Sequence, residues 1–345
     1  MNGRQHGGGT LIELSDSLPD APPIEGLAFR PFDPRRDYDA LVSLITQTNV
    51  ADRINEIPTV ESTRVEFEHL AEFDPRRDVL LAEVDGDLVA AAWTNVRTRN
   101  GIAAHQVDGW VLPAWRRRGL GRALLHWTER RAREVARVDG RTGARALMTW
   151  PEDTQPGAIA LYEREGFAVV RYGFNMVRDL GEPIPDRRLP LGLETRPVRE
   201  ADHRRIWDAD GEAFRDLWGS AERTEADFLR WFADPDLDTD RWQVAWDGDE
   251  VVGCVMAFVY PSDNERLGIS RGWLQHISVR RPWRKRGVAS ALIARSLRDL
   301  REQGLAEAAL GVDAENPSGA LRVYEAMGFR RESMHIAYQK LFVAD

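Results

Sequence analysis

The chain has 345 residues, of which 43% are hydrophobic and 30% charged, which is an ordinary composition for a globular protein. This length predicts about two domains of 100–200 residues each. The net charge of −9 argues against a general nucleic-acid-binding protein, because such proteins gain affinity by neutralising phosphates. The longest apolar run, residues 251–260, is far shorter than the ~20 residues of a membrane-spanning helix, so we expect no membrane segment.

The single cysteine, Cys254, excludes intramolecular disulfides and cysteine-rich zinc sites. Its apolar neighbours predict a buried strand residue that fills the core. The first residues contain no apolar stretch typical of a signal peptide. We therefore expect a cytoplasmic protein.

Residues 1–26 are rich first in glycine and then in proline and acidic residues, without helical or strand periodicity, and they predict a flexible tail. A first domain is expected at residues 27–181, a proline-rich linker at 182–192 and a second domain at 193–345. Each domain shows a strand, one or two helices, a hairpin, a strand, a basic glycine loop with a long helix, a strand, a short helix and a last strand. This order indicates an α/β fold around a mixed sheet flanked by helices.

The two predicted domains carry matching motifs. The basic loop reads Trp-Arg-Arg-Arg-Gly-Leu-Gly at residues 115–121 and Trp-Arg-Lys-Arg-Gly-Val-Ala at residues 283–289. An Asp-Gly hairpin signal precedes each loop, and a short helix carrying Tyr162 or Tyr324 and ending in Gly-Phe follows it. The matching flanks indicate a duplicated domain rather than a short-period repeat.

Glycines at the entry to a helix let backbone N–H groups approach a phosphate, and the helix dipole adds partial positive charge there. The neighbouring arginines supply further charge and bidentate contacts. Neither loop is a Walker loop, since no Gly-Lys-Ser/Thr follows, and the dinucleotide fingerprint fits poorly. A solvated basic helix start is the alternative for one loop alone. The recurrence of the basic glycine loop in both copies favours two anion-binding loops.

The motif Arg-x-x-Gly-x-Gly/Ala after a strand, followed by Ala-x-x-x-Tyr-Glu-x-x-Gly-Phe, resembles the GNAT superfamily of acyl-CoA-dependent N-acyltransferases. The resemblance covers residues 27–345, and the tandem arrangement is similar to that of the mycothiol synthase group. It implies two tandem GNAT-like domains, each with a mixed, mostly antiparallel sheet.

The resemblance also implies that acetyl-CoA is the acyl donor, with its pyrophosphate on a loop, and that no metal takes part. The residue that ends the strand before each loop, Val111 or Val279, would donate its N–H to an oxyanion. The other implied donor-binding residues are those of the two loops and one asparagine. They are Arg116, Arg117, Arg118, Gly119, Leu120 and Gly121 in the first copy, and Arg284, Lys285, Arg286, Gly287, Val288, Ala289 and Asn316 in the second.

An acceptor amine is largely protonated at neutral pH, so a base must remove a proton before attack. On the strand before the second loop His276 is the only titratable group, and its counterpart in the first copy is Asp108. Structural roles for both, a base at Asp313 or Glu315, and a water relay all stay open.

The tyrosines Tyr162 and Tyr324 match the superfamily's proton donor to the leaving thiolate, with aromatic packing as the alternative. The two copies differ just before them: the second has Asn316 in the superfamily's Asn-x-x-x-Ala pattern, where the first has Thr154. This difference favours the second domain as the catalytic one, although activity of both stays open.

We expect a small-molecule amine as acceptor, selected by residues 49–74 and by the strongly acidic residues 211–240. A non-catalytic acyl-CoA sensor or scaffold, and an acetyltransferase acting on a protein amine, are the alternatives. Nucleic-acid binding through the arginine clusters is not expected but remains testable. The sequence leaves a homodimer open.

Overall fold

The computed structural model describes residues 18–99, 101–215, 217–218, 220, 223–234, 237–316 and 319–343. The helices in these ranges are α1 (Tyr38–Asp52), α2 (Val60–His69), α3 (Pro75–Asp78), α4 (Leu120–Val138), α5 (Pro156–Arg164), α6 (His203–Phe214), α7 (Glu225–Phe232), α8 (Pro261–Leu267), α9 (Val288–Glu302) and α10 (Ala320–Ala326). The strands are β1 (Leu27–Pro31), β2 (Val79–Val84), β3 (Asp87–Arg99), β4 (Ile102–Val111), β5 (Arg145–Thr149), β6 (Ala168–Asp179), β7 (Glu194–Thr195), β8 (Gln243–Asp247), β9 (Glu250–Val259), β10 (Arg271–Val279), β11 (Glu307–Asp313) and β12 (Arg330–Phe342). We call residues 18–181 the N-half and residues 182–343 the C-half.

The twelve strands of the described residues form one sheet, in the order β1-β2-β3-β4-β5-β12-β6-β11-β10-β9-β8-β7. The pairs β4–β5 and β10–β11 are parallel and the other neighbours are antiparallel. The predicted α/β fold with a mixed, mostly antiparallel sheet is confirmed. The sheets of the two halves are joined into one continuous sheet.

The halves exchange their last strands at the centre of this sheet. The last strand of the N-half, β6, pairs with β11 of the C-half, while β12 of the C-half lies between β5 and β6. Neither half therefore completes its sheet with its own last strand. Both halves contribute strands to the centre of the sheet, so separating the halves would break the backbone hydrogen bonds between these strands.

Helices cover both faces of the outer strands. In β2, Val79 and Leu81 belong to the core under α1, and Leu80 and Ala82 belong to the core under α4. Successive side chains of a strand point to opposite faces, so a strand covered on both sides is apolar throughout. In the C-half, α6 and α9 take the places of α1 and α4.

The first described residues pack onto the N-half instead of forming the predicted flexible tail. Leu18 is only 6% exposed and belongs to the core between the sheet and α4. Asp20 forms ion pairs with His126 and Arg130 of α4. The remainder of the predicted tail, residues 1–17, lies outside the described residues.

The predicted linker occupies the equivalent place on α9. Ile184 packs against the C-half core, and Asp186 forms an ion pair with Arg298, which corresponds in the repeat to Arg130. The two segments also match in sequence, with Leu-Pro-Asp at residues 18–20 and Ile-Pro-Asp at residues 184–186. The repeated unit therefore begins ahead of its first strand.

Candidate active site

The two basic loops have the same backbone. In each, φ is positive at the second basic residue, 63° at Arg117 and 61° at Lys285, and again at the glycine, 94° at Gly119 and 87° at Gly287. Glycine adopts this left-handed conformation without the penalty of a Cβ atom. Each glycine leads directly into a long helix, α4 or α9, whose first N–H groups lack helical partners and attract an anion.

The first arginine of each loop forms a hydrogen bond with the strand that precedes the loop. The Nε of Arg116 donates to the carbonyl of Val111 at 3.0 Å, and the Nε of Arg284 donates to the carbonyl of Val279 at 2.9 Å. A ligand phosphate is therefore left with the backbone N–H groups and the exposed basic residues that follow, among them Arg286. The assignment of Arg116 and Arg284 to the donor site stays a prediction.

Each loop lies beside a gap between two parallel strands. In the N-half the parallel ladder joins residues 103–106 of β4 with residues 145–148 of β5. In the C-half it joins residues 271–273 of β10 with residues 307–309 of β11. Both ladders stop before the strands reach the loops, so a gap opens at the loop end of each pair.

The N–H of Val279 points into the C-half gap. Arg280 donates its N–H to the carbonyl of Val252 on the other side at 2.9 Å, and neighbouring residues of a strand direct their N–H groups to opposite edges. The same alternation directs the N–H of Val111 into the N-half gap, since Leu112 pairs with β3. Both positions suit a donor to an oxyanion.

His276 lies at a β-bulge in β10. The pairing of β10 with β9 shifts between Gln275 and Ser278, and His276 has a φ of 45°. Bulges re-aim side chains, and a left-handed residue that is not glycine is strained. The imidazole Nδ1 lies 2.7 Å from Oδ2 of Asp210, and the ring centroid lies 4.6 Å from that of Trp231.

Asp210 lies on α6 with a side-chain exposure of 0%, and its Oδ2 also accepts from Nη2 of Arg223 at 2.6 Å. Burial alone would raise the pKa of Asp210, but the charges and hydrogen bonds of His276 and Arg223 hold this pKa below its ordinary value. The ionised carboxylate orients the imidazole with Nδ1 as the hydrogen donor, which leaves Nε2 as the basic nitrogen.

Sequence reasoning missed Asp210 and Arg223. Helical spacing could have indicated Asp210, because it places this aspartate on the same face of α6 as the apolar residues Ile206 and Ala213, and this face is buried. A charged side chain in an apolar stripe is costly unless it has partners in the fold. The partners themselves come from β10 and from the segment before α7, which sequence spacing does not bring together.

Asp108, the N-half counterpart of His276, lies in a regular part of β4. The ladder between β3 and β4 runs from residues 90–99 to residues 102–111 without a register shift. Gln106 donates to Oδ2 of Asp108 at 2.8 Å. Burial, with the negative charges of Glu66 and Glu56, raises the pKa of Asp108 to about 7. The N-half therefore holds a titratable carboxylate on an unbulged strand.

Both predicted tyrosines are buried, Tyr162 with 9% and Tyr324 with 6% exposure. Burial raises the pKa of Tyr162 to about 12 and also raises the pKa of Tyr324. Tyr324 shares a core cluster with Val279 and Val288, at the end of β10 and the start of α9. Both phenols stay protonated at neutral pH, as a proton donor requires.

The remaining candidates follow β11. Asn316 donates its backbone N–H to the carbonyl of Asp313 at 3.1 Å. The carboxylates of Asp313 and Glu315, the alternative bases, form ion pairs with Arg171 of β6 at 3.0 and 2.8 Å. Both carboxylates are thus engaged by the guanidinium of Arg171, and we take His276 as the candidate base.

A cavity of about 940 Å³ lies between the halves. Trp231 and Gln275 line it next to His276, and Gln106 lines it next to Asp108. Its wall carries four tryptophans and several carboxylates: Trp150, Trp218, Trp231, Trp273, Glu56, Glu66, Glu152, Asp234 and Asp263. Parts of both predicted acceptor segments thus line the cavity, although residues 216, 219, 221–222 and 235–236 lie outside the described residues.

Each half thus combines a splayed parallel strand pair with a glycine loop at a helix start. The model of the acetyltransferase (GNAT) family matches the chain twice, at residues 45–167 and 203–329. The chain belongs to this family as a tandem member, and it is an N-acetyltransferase. Acetyltransferases of this family use acetyl-CoA as the donor.

Curated relatives that match most of the chain include mycothiol acetyltransferases. That of Geodermatophilus obscurus is 28% identical over 304 residues, which cover 87% of this chain and 93% of the relative. That of Salinispora tropica is 34% identical over 269 residues, covering 77% of this chain and 82% of the relative.

Two solved structures share the fold over nearly the whole chain. A GCN5-related N-acetyltransferase from Sphaerobacter thermophilus has a TM-score of 0.69 at 25% identity, covering 94% of this chain and 97% of its own. A tandem GNAT protein from the clavulanic acid biosynthesis pathway has a TM-score of 0.63 at 18% identity, with 92% and 99% coverage. The tandem architecture therefore recurs outside the curated relatives.

None of the described helices is both long and apolar enough to cross a membrane. In the same part of the chain, no group of three or more His, Cys, Asp and Glu side chains is placed to hold a metal ion. The cytoplasmic location and the homodimer stay predictions.

Proposed function

We propose that the C-half transfers the acetyl group of acetyl-CoA to the amine of a small molecule held in the central cavity. The contacts that link Arg223, Asp210 and His276 are the main support for this proposal. They hold a partly buried imidazole in a fixed orientation beside both the gap and the cavity. The N-half contributes cavity wall and the exchanged strand β6.

In this mechanism His276 is the general base. Its Nδ1–H is held by Asp210, so Nε2 takes a proton from the acceptor ammonium, directly or through water. The freed amine forms the C–N bond to the thioester carbonyl, and the C–S bond then breaks. As the amide forms, the nitrogen loses its second proton, which through water replaces the proton that Tyr324 gives to the thiolate, and His276 releases its own proton to solvent. Asp210 stabilises the imidazolium that results, as a buried carboxylate does in hydrolase triads.

The other groups act on the donor side. The N–H of Val279 donates to the oxyanion, and the hydroxyl of Tyr324 protonates the leaving thiolate. Lys285, Arg286 and the N–H groups at the start of α9 would hold the pyrophosphate of acetyl-CoA. The open backbone at Gly287 fits such a ligand, since a Cβ added there would meet no atom within 4 Å.

The proposed acceptor is the amine of a mycothiol precursor, because the curated relatives are mycothiol acetyltransferases. Carboxylates outnumber guanidinium groups on the described cavity wall, which favours a cationic amine. The wall carries Glu56, Glu66, Glu152, Asp234, Asp263 and Asp313 against Arg99, Arg171 and Arg230. Trp150 and Trp273 offer flat apolar surfaces on the same wall.

The test is to incubate the purified chain with acetyl-CoA and a panel of acceptors: the amine precursor of mycothiol, amino sugars, amino acids, polyamines and a peptide with a free amine. Products are measured by mass spectrometry, since an acceptor thiol would interfere with thiol-release assays. We expect the highest kcat/KM with the mycothiol precursor. A preference for the peptide would replace the small-molecule acceptor, and donor binding without any product would favour an acyl-CoA sensor.

A further inference from the structure

One histidine on the floor of the central cavity has no part in the proposed reaction. His335 lies on β12 and lines the cavity together with Gly173 of β6. Within the described part of the chain, no hydrogen bond joins its ring nitrogens to another residue. Buried polar groups of a protein usually have partners, so an imidazole left open toward a cavity is available to a ligand.

Gly173 and His335 are the same position in the two copies of the repeat. The spacing of 162 residues between Tyr162 and Tyr324 is also the spacing between Gly173 and His335. The antiparallel ladder of β6 and β12 pairs these two residues with each other. Where a twofold axis relates two copies, a residue that contacts its own counterpart lies on that axis. The centre of the cavity floor is therefore occupied by a histidine from one copy and a glycine from the other.

The glycine makes room for the histidine ring. A Cβ built on Gly173 would lie 1.9 Å from Nε2 and 2.2 Å from Cε1 of His335, which no side chain tolerates. Gly173 does not have the positive φ that would itself call for glycine. The ring of His335 thus leans from β12 over β6, away from β5 and toward β11.

This lean brings the ring to the part of the floor that is level with His276. Gly173 pairs with Asp313 of β11. When the register between β10 and β11 is extended along both strands, Asp313 lies level with Ile277, the neighbour of His276. Adjacent strands are about 4.8 Å apart, so two strand spacings place the ring over β6 roughly 10 Å from β10.

We infer that His335 donates or accepts a hydrogen bond with an uncharged polar group of the acceptor, roughly 10 Å from the reacting amine, and so positions the acceptor for the C-half. The inference rests on the proposed transfer in this cavity. Burial lowers the pKa of His335, against the negative charge of Asp313, so the ring is neutral at neutral pH. A neutral imidazole has one donor and one acceptor nitrogen, which suits a hydroxyl or an amide.

An acceptor that reaches both His276 and His335 has to be an extended molecule. The cavity volume of about 940 Å³ is at the upper end of the range for pockets that hold drug-sized ligands. We therefore expect an acceptor whose amine lies at one end and whose hydroxyl or amide groups lie at the other. A bare polyamine has no group that needs His335.

The test measures acceptor affinity by isothermal titration calorimetry in the presence of CoA, which lacks the acetyl group, so that the result does not depend on turnover. The probes are spermidine and the member of the acceptor panel with hydroxyl or amide groups that binds the intact chain most tightly. His335→Ala should weaken binding of the latter about three- to tenfold, the effect of one hydrogen bond. It should leave the affinities for spermidine and for acetyl-CoA unchanged.

The matched control is Gln339→Ala, further along the same face of β12 but not among the residues that line the cavity. It should change none of these affinities. An unchanged acceptor affinity in folded His335→Ala protein would overturn the inference alone. If the intact chain binds no member of the panel, the proposed function falls and the inference falls with it.

A second set of variants tests the place of the ring. Gly173→Ala should displace the ring and weaken acceptor binding as much as His335→Ala does, and the double variant should be no weaker, because all three lose the same contact. The exchange of Gly173→His with His335→Gly should not restore binding, since its ring would lean toward β5. Thermal unfolding confirms that each variant is folded. Additive losses in the double variant, or full affinity in the exchanged protein, would show that the ring only fills space.

Discussion

The N-half and the C-half keep the same glycine loop but differ in the strand that leads to it. The loops agree to within a few degrees at Arg117 and Lys285, yet β10 carries a bulge at His276 where β4 is regular at Asp108. A loop backbone is set by a few local residues, whereas a catalytic base needs a partner from another element. Duplication has therefore preserved the loop motif in both halves, while the surroundings of His276 and Asp108 differ.

Substituting the candidate base in each half tests this difference with the largest expected effect. His276→Gln should lower kcat by about 10²–10⁴-fold, because no group of suitable basicity then takes the amine proton. Asp108→Asn should leave kcat nearly unchanged. Product formation measured by mass spectrometry at saturating substrates gives both values. Comparable losses in the two variants would mean that both halves catalyse.

The next effect concerns the residue that orients the base. Asp210→Asn should lower kcat by about a hundredfold, because the imidazolium that forms on His276 loses its negative neighbour. Asp208→Asn, an exposed change on the same helix, is the matched control. A folded Asp210→Asn protein with an unchanged kcat would reduce Asp210 to a structural residue.

The tyrosines give a smaller contrast. Tyr324→Phe should lower kcat by about tenfold through loss of the proton donor, with little change in acetyl-CoA affinity. Tyr162→Phe, equally buried in the N-half, should have little effect on kcat. The measurements are kcat from steady-state rates and the acetyl-CoA affinity from calorimetry, for both variants. Equal effects would remove the functional asymmetry between the two short helices.

The smallest expected effect is a pH dependence of acceptor binding. The pKa of Asp108 is raised to about 7, so its carboxyl group is mainly neutral at pH 6 and mainly ionised at pH 8. The KM for a cationic acceptor should therefore fall by about two- to threefold over this range. Asp108→Asn should remove this fall, while a KM profile unaltered by the substitution would show that the carboxylate does not sense the acceptor.

Sequence reasoning correctly predicted the fold class, the duplication and the family, whereas its base and acid stay predictions. The exchange of β6 and β12 was not predicted, because a hydrophobic pattern can identify a strand but does not show which strand it pairs with. Sequence reasoning also assigned residues 18–26 to a tail, although their Leu-Pro-Asp start repeats ahead of the second copy. The hydrogen bonds of Arg116 and Arg284 to strand carbonyls were not predicted either, because they depend on the three-dimensional geometry of the loops.

Residues close together in the chain are enough to establish the loops and the family, since glycine conformation, helix starts and basic charge are local properties. Asp210 beside His276, the carboxylate of Asp52 between Arg116 and Gln155, and a cavity shared by both halves join residues far apart in the chain. Such contacts exist only after the sheet has assembled and its strands have been exchanged. The long-range partners of each loop and of each candidate base are therefore a property of packing, and the repeated motif does not contain them.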